Sequence, residues 1–528
     1  MSTTTPDRAF FGHPRGLLIC FATELWERFS FYGMKYLLLL YLTKYHLFTD
    51  EMGLGVLASY AALAYALPVI GGMLADRYLG MRKAVTFGAI LLCLGHLGMA
   101  VEGHQASVID GQIVRDTAAL QVFYFSLALI SVGVCFLKPN ISTIVGRLYA
   151  DGDPRRDAGF TIFYMGINIG AFTATLLCGY LGETYGWSWG FGAAGVGMVL
   201  GLITFLGGQK YLHGHAEPHD PKMLAEKVFG PLSREWLIYL GAVGSLFVVW
   251  QMLQYEAVVH WTLNLLSLSV LVWLAWFLST RCNAEERGRM IVLATLTIFT
   301  VVFWALFEQS AASMTLFADR VLDRSAFGVE FTAAQLGALN AMFIFMLAPF
   351  FAWLWQSLGR RRLDPSPPMK FVLGIAQAGL GFGALVMGST MPDEAGKVAL
   401  IWFVLAYLLH TTGELCLSPV GLSAVTKLAV PSVVGVMMGA WFLATAYSEF
   451  IAAQISKLAA IDMHDGEVLN IDAAREVYAT LFDKLLWVGL GTAVVLLLLT
   501  PLLKKLMGHA ADIDPDAIGE ELAQETNR

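Results

Sequence analysis

Gly71-Gly72-Met73-Leu74-Ala75-Asp76-Arg77-Tyr78-Leu79-Gly80-Met81-Arg82-Lys83 joins two apolar stretches, 54 to 75 and 84 to 102, each long enough to cross a bilayer. Its glycines allow tight turns and close helix contact, and Asp76 can pair with a base or a helix N-terminus. Those properties predict a conformational latch built from Gly72, Asp76, Arg77, Gly80 and Arg82 rather than a substrate contact. Leu358-Gly359-Arg360-Arg361-Arg362 reads as a worn copy of it, so the chain divides into two related halves.

Working outward, windows of about 20 mostly apolar residues recur along the whole chain. Fourteen are predicted: 17–42, 54–75, 84–102, 119–145, 158–182, 188–207, 236–254, 260–280, 290–316, 333–356, 371–390, 398–426, 434–458 and 481–503. Only 14% of the 528 residues are charged, against roughly 25% in soluble domains, so the fold class is an all-α membrane protein. The segment near Arg15 is expected to stay as a first span, because Glu24, Glu27 and Arg28 interrupt it and no small-residue cleavage site follows.

Basic residues fall on alternate connections: Arg77/Arg82/Lys83, Arg147/Arg155/Arg156, Lys210/Lys222/Lys227, Arg281/Arg287/Arg289, Arg360/Arg361/Arg362 and Lys504/Lys505. The positive-inside rule then puts both termini in the cytoplasm, in agreement with an even number of spans. Leu206 to Pro231 is polar and rich in His, Gly and Pro, and two apolar segments follow that neither half needs. The expected division is a six-helix bundle over 1–207, a linker with an inserted hairpin over 208–288, a second six-helix bundle over 289–505 and a polar acidic tail over 506–528.

There is no basic face for nucleic acid. The six cysteines stand alone in or beside apolar stretches and read as packing residues. The eleven histidines form no cluster with a nucleophile or metal spacing, so neither an enzyme nor a bound cofactor is expected.

In the first span Glu24, Glu27 and Arg28 share one helical face, and Lys35 lies seven residues beyond Arg28 on nearly the same face. Ionisable groups at membrane depth cost several kcal/mol unless paired or hydrated, so they mark function by default. Lys138, Glu308 and Glu414 sit as deep, in both halves. Four acids against three bases leave one net negative charge, which makes a carboxylate a natural proton carrier. The same set offers bases for a carboxylate and acids for an ammonium, with Asn168, Asn340 and nearby aromatics as adaptable contacts.

The whole Gly-x-Leu-Ala-Asp-Arg-x-Leu-Gly-x-Arg-Lys loop resembles the signature of the major facilitator superfamily. Glu-x-x-Glu-Arg-Phe-x-Phe-Tyr-Gly (24–33), Phe136-Leu137-Lys138-Pro139-Asn140, Phe163-Tyr164-Met165-Gly166-Ile167-Asn168-Ile169-Gly170 and Gly413-Glu414-Leu415-Cys416-Leu417-Ser418-Pro419-Val420-Gly421-Leu422 resemble the proton-dependent oligopeptide transporter family. That resemblance implies twelve helices in two bundles, plus the two that bacterial members insert between them. It implies Arg28, Tyr32 and Lys138 at the peptide carboxylate, and Glu414, Asn168 and Asn340 at its amino end. It gives Glu24 and Glu27, with Arg28 and Glu308, to proton coupling, and Lys35–Glu308 and Lys138–Glu414 to gating pairs. Tyr65, Trp304, Phe307, Ser418 and Trp441 match positions that shape side-chain pockets. Phe31 departs from the family's tyrosine pair, and the second span lacks the histidine of animal relatives.

The expected activity is proton-driven import of di- and tripeptides, through alternating access in a bacterial cytoplasmic membrane. Partners are peptides, protons and membrane lipids, and the chain is expected to act as a monomer. A carrier of another small anion or zwitterion, such as nitrate or an amino-acid conjugate, is the alternative on this fold; a channel ranks below both.

Overall fold

The computed structural model describes residues 12–150, 153, 155–461 and 470–508. Its long helices, in chain order, are α1 (Arg15–Leu40), α2 (Asp50–Leu79), α3 (Met81–Met99), α4 (Thr117–Arg147), α5 (Arg156–Tyr185), α6 (Trp187–Gly208) and α7 (Arg234–Gln254). They continue as α8 (Glu256–Thr280), α9 (Ala284–Arg320), α10 (Ala338–Arg360), α11 (Pro367–Ser389), α12 (Leu400–Leu428), α13 (Val434–Ser456) and α14 (Ile471–Met507). Twelve are long and apolar enough to cross a membrane. The other two, α1 and α3, carry the charged residues of the first span and of the motif loop, and complete the expected fourteen.

Helix starts follow capping chemistry, which satisfies amide donors that a first turn leaves unpaired. Thr49, Asp116 and Ser233 accept from backbone amides of α2, α4 and α7, and Asn283 forms a reciprocal capping box with Glu286. Asn470 starts α14 ten residues before the predicted apolar core, because a capped polar turn precedes the apolar run. The predicted 290–316 span is not continuous. After Phe307 the helix tightens over Glu308–Ala311, kinks at Ala312 and resumes over Ser313–Arg320.

Helices α1 to α6 pack on one another, and so do α9 to α14; α7 and α8 stand outside. Helix α1 is wedged against α5 and α6, and its run Leu37–Leu42 is fully buried. The two groups meet where α2 packs on α13 and α5 on α10, while α7 lies on α4 and α8 on α2 and α13. Gly71 is required at its position. Pro139 cannot donate to the carbonyl of Cys135, and that oxygen occupies the place a Gly71 side chain would take.

Bonds joining the two groups cluster at the end opposite the basic connections. Arg320 donates from Nη2 to Asp50 Oδ1 (2.6 Å) and from Nη1 to Oδ2 (2.7 Å), and the amide of Ile461 donates to the same Oδ2 (2.9 Å). Lys44 pairs with Asp319 (2.8 Å), and the amide of Ala334 donates to Glu183 (2.8 Å). At the basic end, Ser142, Arg147, Arg156, Phe163, Tyr164 and neighbouring residues of α4 and α5 line a cavity of about 950 Å³. The bonds between the two groups close the end opposite the basic connections.

Candidate functional site

Three groups of charged side chains occupy the buried middle of the helices. On α1, Arg28 Nε lies 3.1 Å from Glu24 Oε1 and 2.5 Å from Glu27 Oε2, and all three side chains are about 5% exposed or less. This is the shared face read from the sequence. Glu24 Oε2, Glu27 Oε1 and Arg28 Nη2 keep no hydrogen-bond partner, so the cluster has capacity for a proton or a ligand group.

Two turns further, Lys35 Nζ donates to Glu308 Oε2 at 2.7 Å and to Glu449 Oε1 at 3.2 Å. Glu308 makes the first contact from the tightened turn that follows Phe307. Glu449, on α13, was missed in the sequence reading, although a lone carboxylate inside the apolar window 434–458 carries the same signal as Glu308.

The third group spans the two halves. Lys138, beside Pro139 on α4, holds its ammonium 4.0 Å above the Tyr65 ring. Glu414, on α12, accepts from Asn340 Nδ2 on α10 at 2.9 Å, and the same nitrogen lies 3.1 Å from Thr411 Oγ1. Among the described residues no ion pair joins Lys138 to Glu414: each has taken a partner within its own half, and the expected Lys138–Glu414 gate is not made in this conformation. Asn168 is turned back onto the carbonyl of Tyr164 on its own helix (3.0 Å) and does not reach Glu414.

Tyr32 is half-buried with its ring edge-on to Phe31 (5.2 Å). Trp304 packs edge-on against Phe307 (5.2 Å), and Trp441 lies against Gly421 of α12. Ser418 is half-buried one turn beyond Glu414. His410 packs on Phe382 (4.7 Å) and meets the carbonyl of Ala378 (3.0 Å), which accounts for it as a packing residue.

The motif loop is held from two sides. Arg147 Nη2 stands 3.6 Å from Asp76 Oδ1, and Arg77 lies over the Tyr78 ring. Arg82 binds Glu217 of the linker at 2.5 and 3.0 Å, its amide donates to the carbonyl of Ala216, and Lys83 pairs with Glu235 of α7 at 2.7 Å. Gly80 has φ 72°, and the linker backbone at Pro218 fills the space of its missing side chain. Gly72 faces Pro139. The linker contacts were not legible, because nothing local in Glu217 or Glu235 points to Arg82 or Lys83. Outside the spans, the N–H donors of Arg82 hold the Glu217 carboxyl below the usual carboxylate range.

Comparison with known proteins gives a consistent result. The profile of the POT family matches residues 82–470. The chain is 38% identical to an uncharacterized transporter, YclF, of Bacillus subtilis (strain 168), over 86% of this chain and 90% of that one. It is 34% identical to the peptide transporter YePEPT of Yersinia enterocolitica subsp. palearctica serotype O:3 (strain YE-P4), over 96% and 98% of the two chains. The crystal structure of a variant of the peptide transporter POT in complex with alafosfalin superposes with a TM-score of 0.80, at 36% identity, covering 96% of this chain and 98% of that one.

Proposed function

The chain belongs to the POT family, and from that membership we propose that it carries di- and tripeptides into the cell together with protons. It is a multi-pass membrane transporter, not an enzyme. The basic end is the cytoplasmic side of a bacterial inner membrane, and the chain termini, which lie outside the described residues, are assigned to that side by the positive-inside rule. Residues 1–207 and 289–505 act as two bundles that rock about the site, with 208–288 packed alongside.

The observation that carries the peptide reading is the arrangement of Lys138 and Glu414. A base of one half and an acid of the other lie deep among the helices, and neither neutralises the other. A peptide would supply both missing charges: its carboxylate to Lys138, Arg28 and Tyr32, its ammonium to Glu414, Asn340 and Asn168. Tyr65, Trp304, Ser418 and Trp441 would bound its side chains. Protons would enter through Glu24 and Glu27 beside Arg28, and through Glu308 beside Lys35. Protonating Glu24 or Glu27 frees Arg28 to meet the peptide.

Binding to the purified protein tests the reading, with dialanine compared against N-acetyl-dialanine and dialanine amide. Capping either end removes one charge partner, which costs about 2 kcal/mol or more and weakens binding at least ~30-fold. Equal binding of the capped forms would contradict the assigned ends.

A further inference from the structure

Glu449 is a buried ionisable group with no role in the transport scheme above. It is 5% exposed and reaches α13's side of the same Lys35 ammonium that Glu308 holds from α9. One base facing two carboxylates leaves a net charge of −1 if all three are ionised, in a place closed off from solvent. A lysine ammonium has three N–H donors, so it can keep both carboxylates, but it can neutralise only one. Uncompensated charge at this depth is what buried ion pairs avoid.

Among the described residues, the surroundings do not supply the missing charge. Lys35 on α1 and Glu308 on α9 are in contact with Glu449. Tyr60 and Tyr65 on α2 and Lys138 on α4 are within electrostatic reach of it. Lys138 is drawn more strongly to Glu27 and Glu24 than to Glu449, and those two acids outnumber Arg28. On α8, His260 packs on Phe450, and Glu256 is bonded to Lys457.

We propose that Glu449 is a second proton-carrying carboxylate of the Lys35 gate, sharing with Glu308 one proton that crosses the membrane in each cycle. The proton comes from the outer solution when the gate is open and is lost to the inner solution. Between those events Lys35 stays paired with whichever carboxylate remains ionised. Proton binding and gate closure are therefore compatible here, whereas with a single acid the proton would release the base. This rests on the proton-coupled reading but not on the identity of the solute.

The test compares wild type with Glu449→Gln, which keeps the shape and leaves Lys35 and Glu308 balanced. In proteoliposomes the variant still exchanges labelled for unlabelled dialanine, but it moves one proton fewer per peptide, read from the voltage at which net flux reverses, and its uptake is flatter with pH. An unchanged proton count and pH profile overturn the proposal. Infrared spectra of the purified protein give a readout independent of transport: Glu449→Gln and Glu308→Gln each reduce the protonated-carboxyl band. A band unaltered in Glu449→Gln overturns the proposal even where neither protein transports. Absence of dialanine exchange by wild type, with the band reduced in both variants, contradicts the peptide reading and leaves the shared proton standing.

Discussion

Glu414→Gln keeps the bond from Asn340, since an amide oxygen also accepts, but removes the charge proposed to meet the peptide's ammonium. Peptide uptake should fall ~10-fold or more with the protein still folded, as judged by detergent chromatography and uptake in parallel; normal uptake would mean the amino-end site is misplaced. A second residue-scale prediction concerns the loop after α1. Burial, reinforced by Arg115, pushes His46 down to about 4, and its Nε2 meets Tyr41 Oη at 2.8 Å. Because the folded value lies below the unfolded value of about 6.5, this contribution to stability is complete above pH 6.5. It is lost as pH falls toward 4. Melting scans of wild type and His46→Gln should converge over that window, and a pH-independent difference would contradict it. At this scale the deep charges were legible, because ionisable residues in apolar windows are costly wherever they occur. Their partners were less so. Arg28 with Glu24 follows from helical spacing, whereas Glu308 and Glu449 meet Lys35 only through tertiary folding.

At the scale of elements, the existence of every long helix was legible from hydropathy, and the ends and breaks were not. The kink at Ala312 leaves no proline or glycine as a signal, and α14 begins in a polar turn that hydropathy discounts. Asp50 reads locally as a loop acid and helix-start residue, yet it is fully buried against Arg320 and joins α2 to α9 and to the chain after α13. Asp50→Asn leaves the Arg320 charge without its partner, a loss that costs about 3–5 kcal/mol in buried pairs. The melting temperature should drop and the closed end should loosen, seen as faster labelling of a cysteine placed at that end; wild-type labelling and melting would show the pair is not the clasp. The exposed Arg82–Glu217 contact should behave differently. Glu217→Gln should change stability by no more than about 1 kcal/mol, and less at high salt, because exposed pairs are weak and screened.

For the whole molecule, the two halves, the hairpin alongside them and the motif loop together describe a carrier whose halves are bonded at one end. Closure is carried by Lys44–Asp319, Asp50–Arg320 and the Lys35 node, all of which join the two halves. Reversing that asymmetry around a fixed site is what would move a peptide across, and protonated carboxylates would couple the reversal to the proton gradient. Uptake of labelled dialanine into proteoliposomes under an imposed inward proton gradient tests this most directly. Accumulation that collapses on adding a protonophore is the predicted result; no uptake, or uptake indifferent to the protonophore, would contradict it.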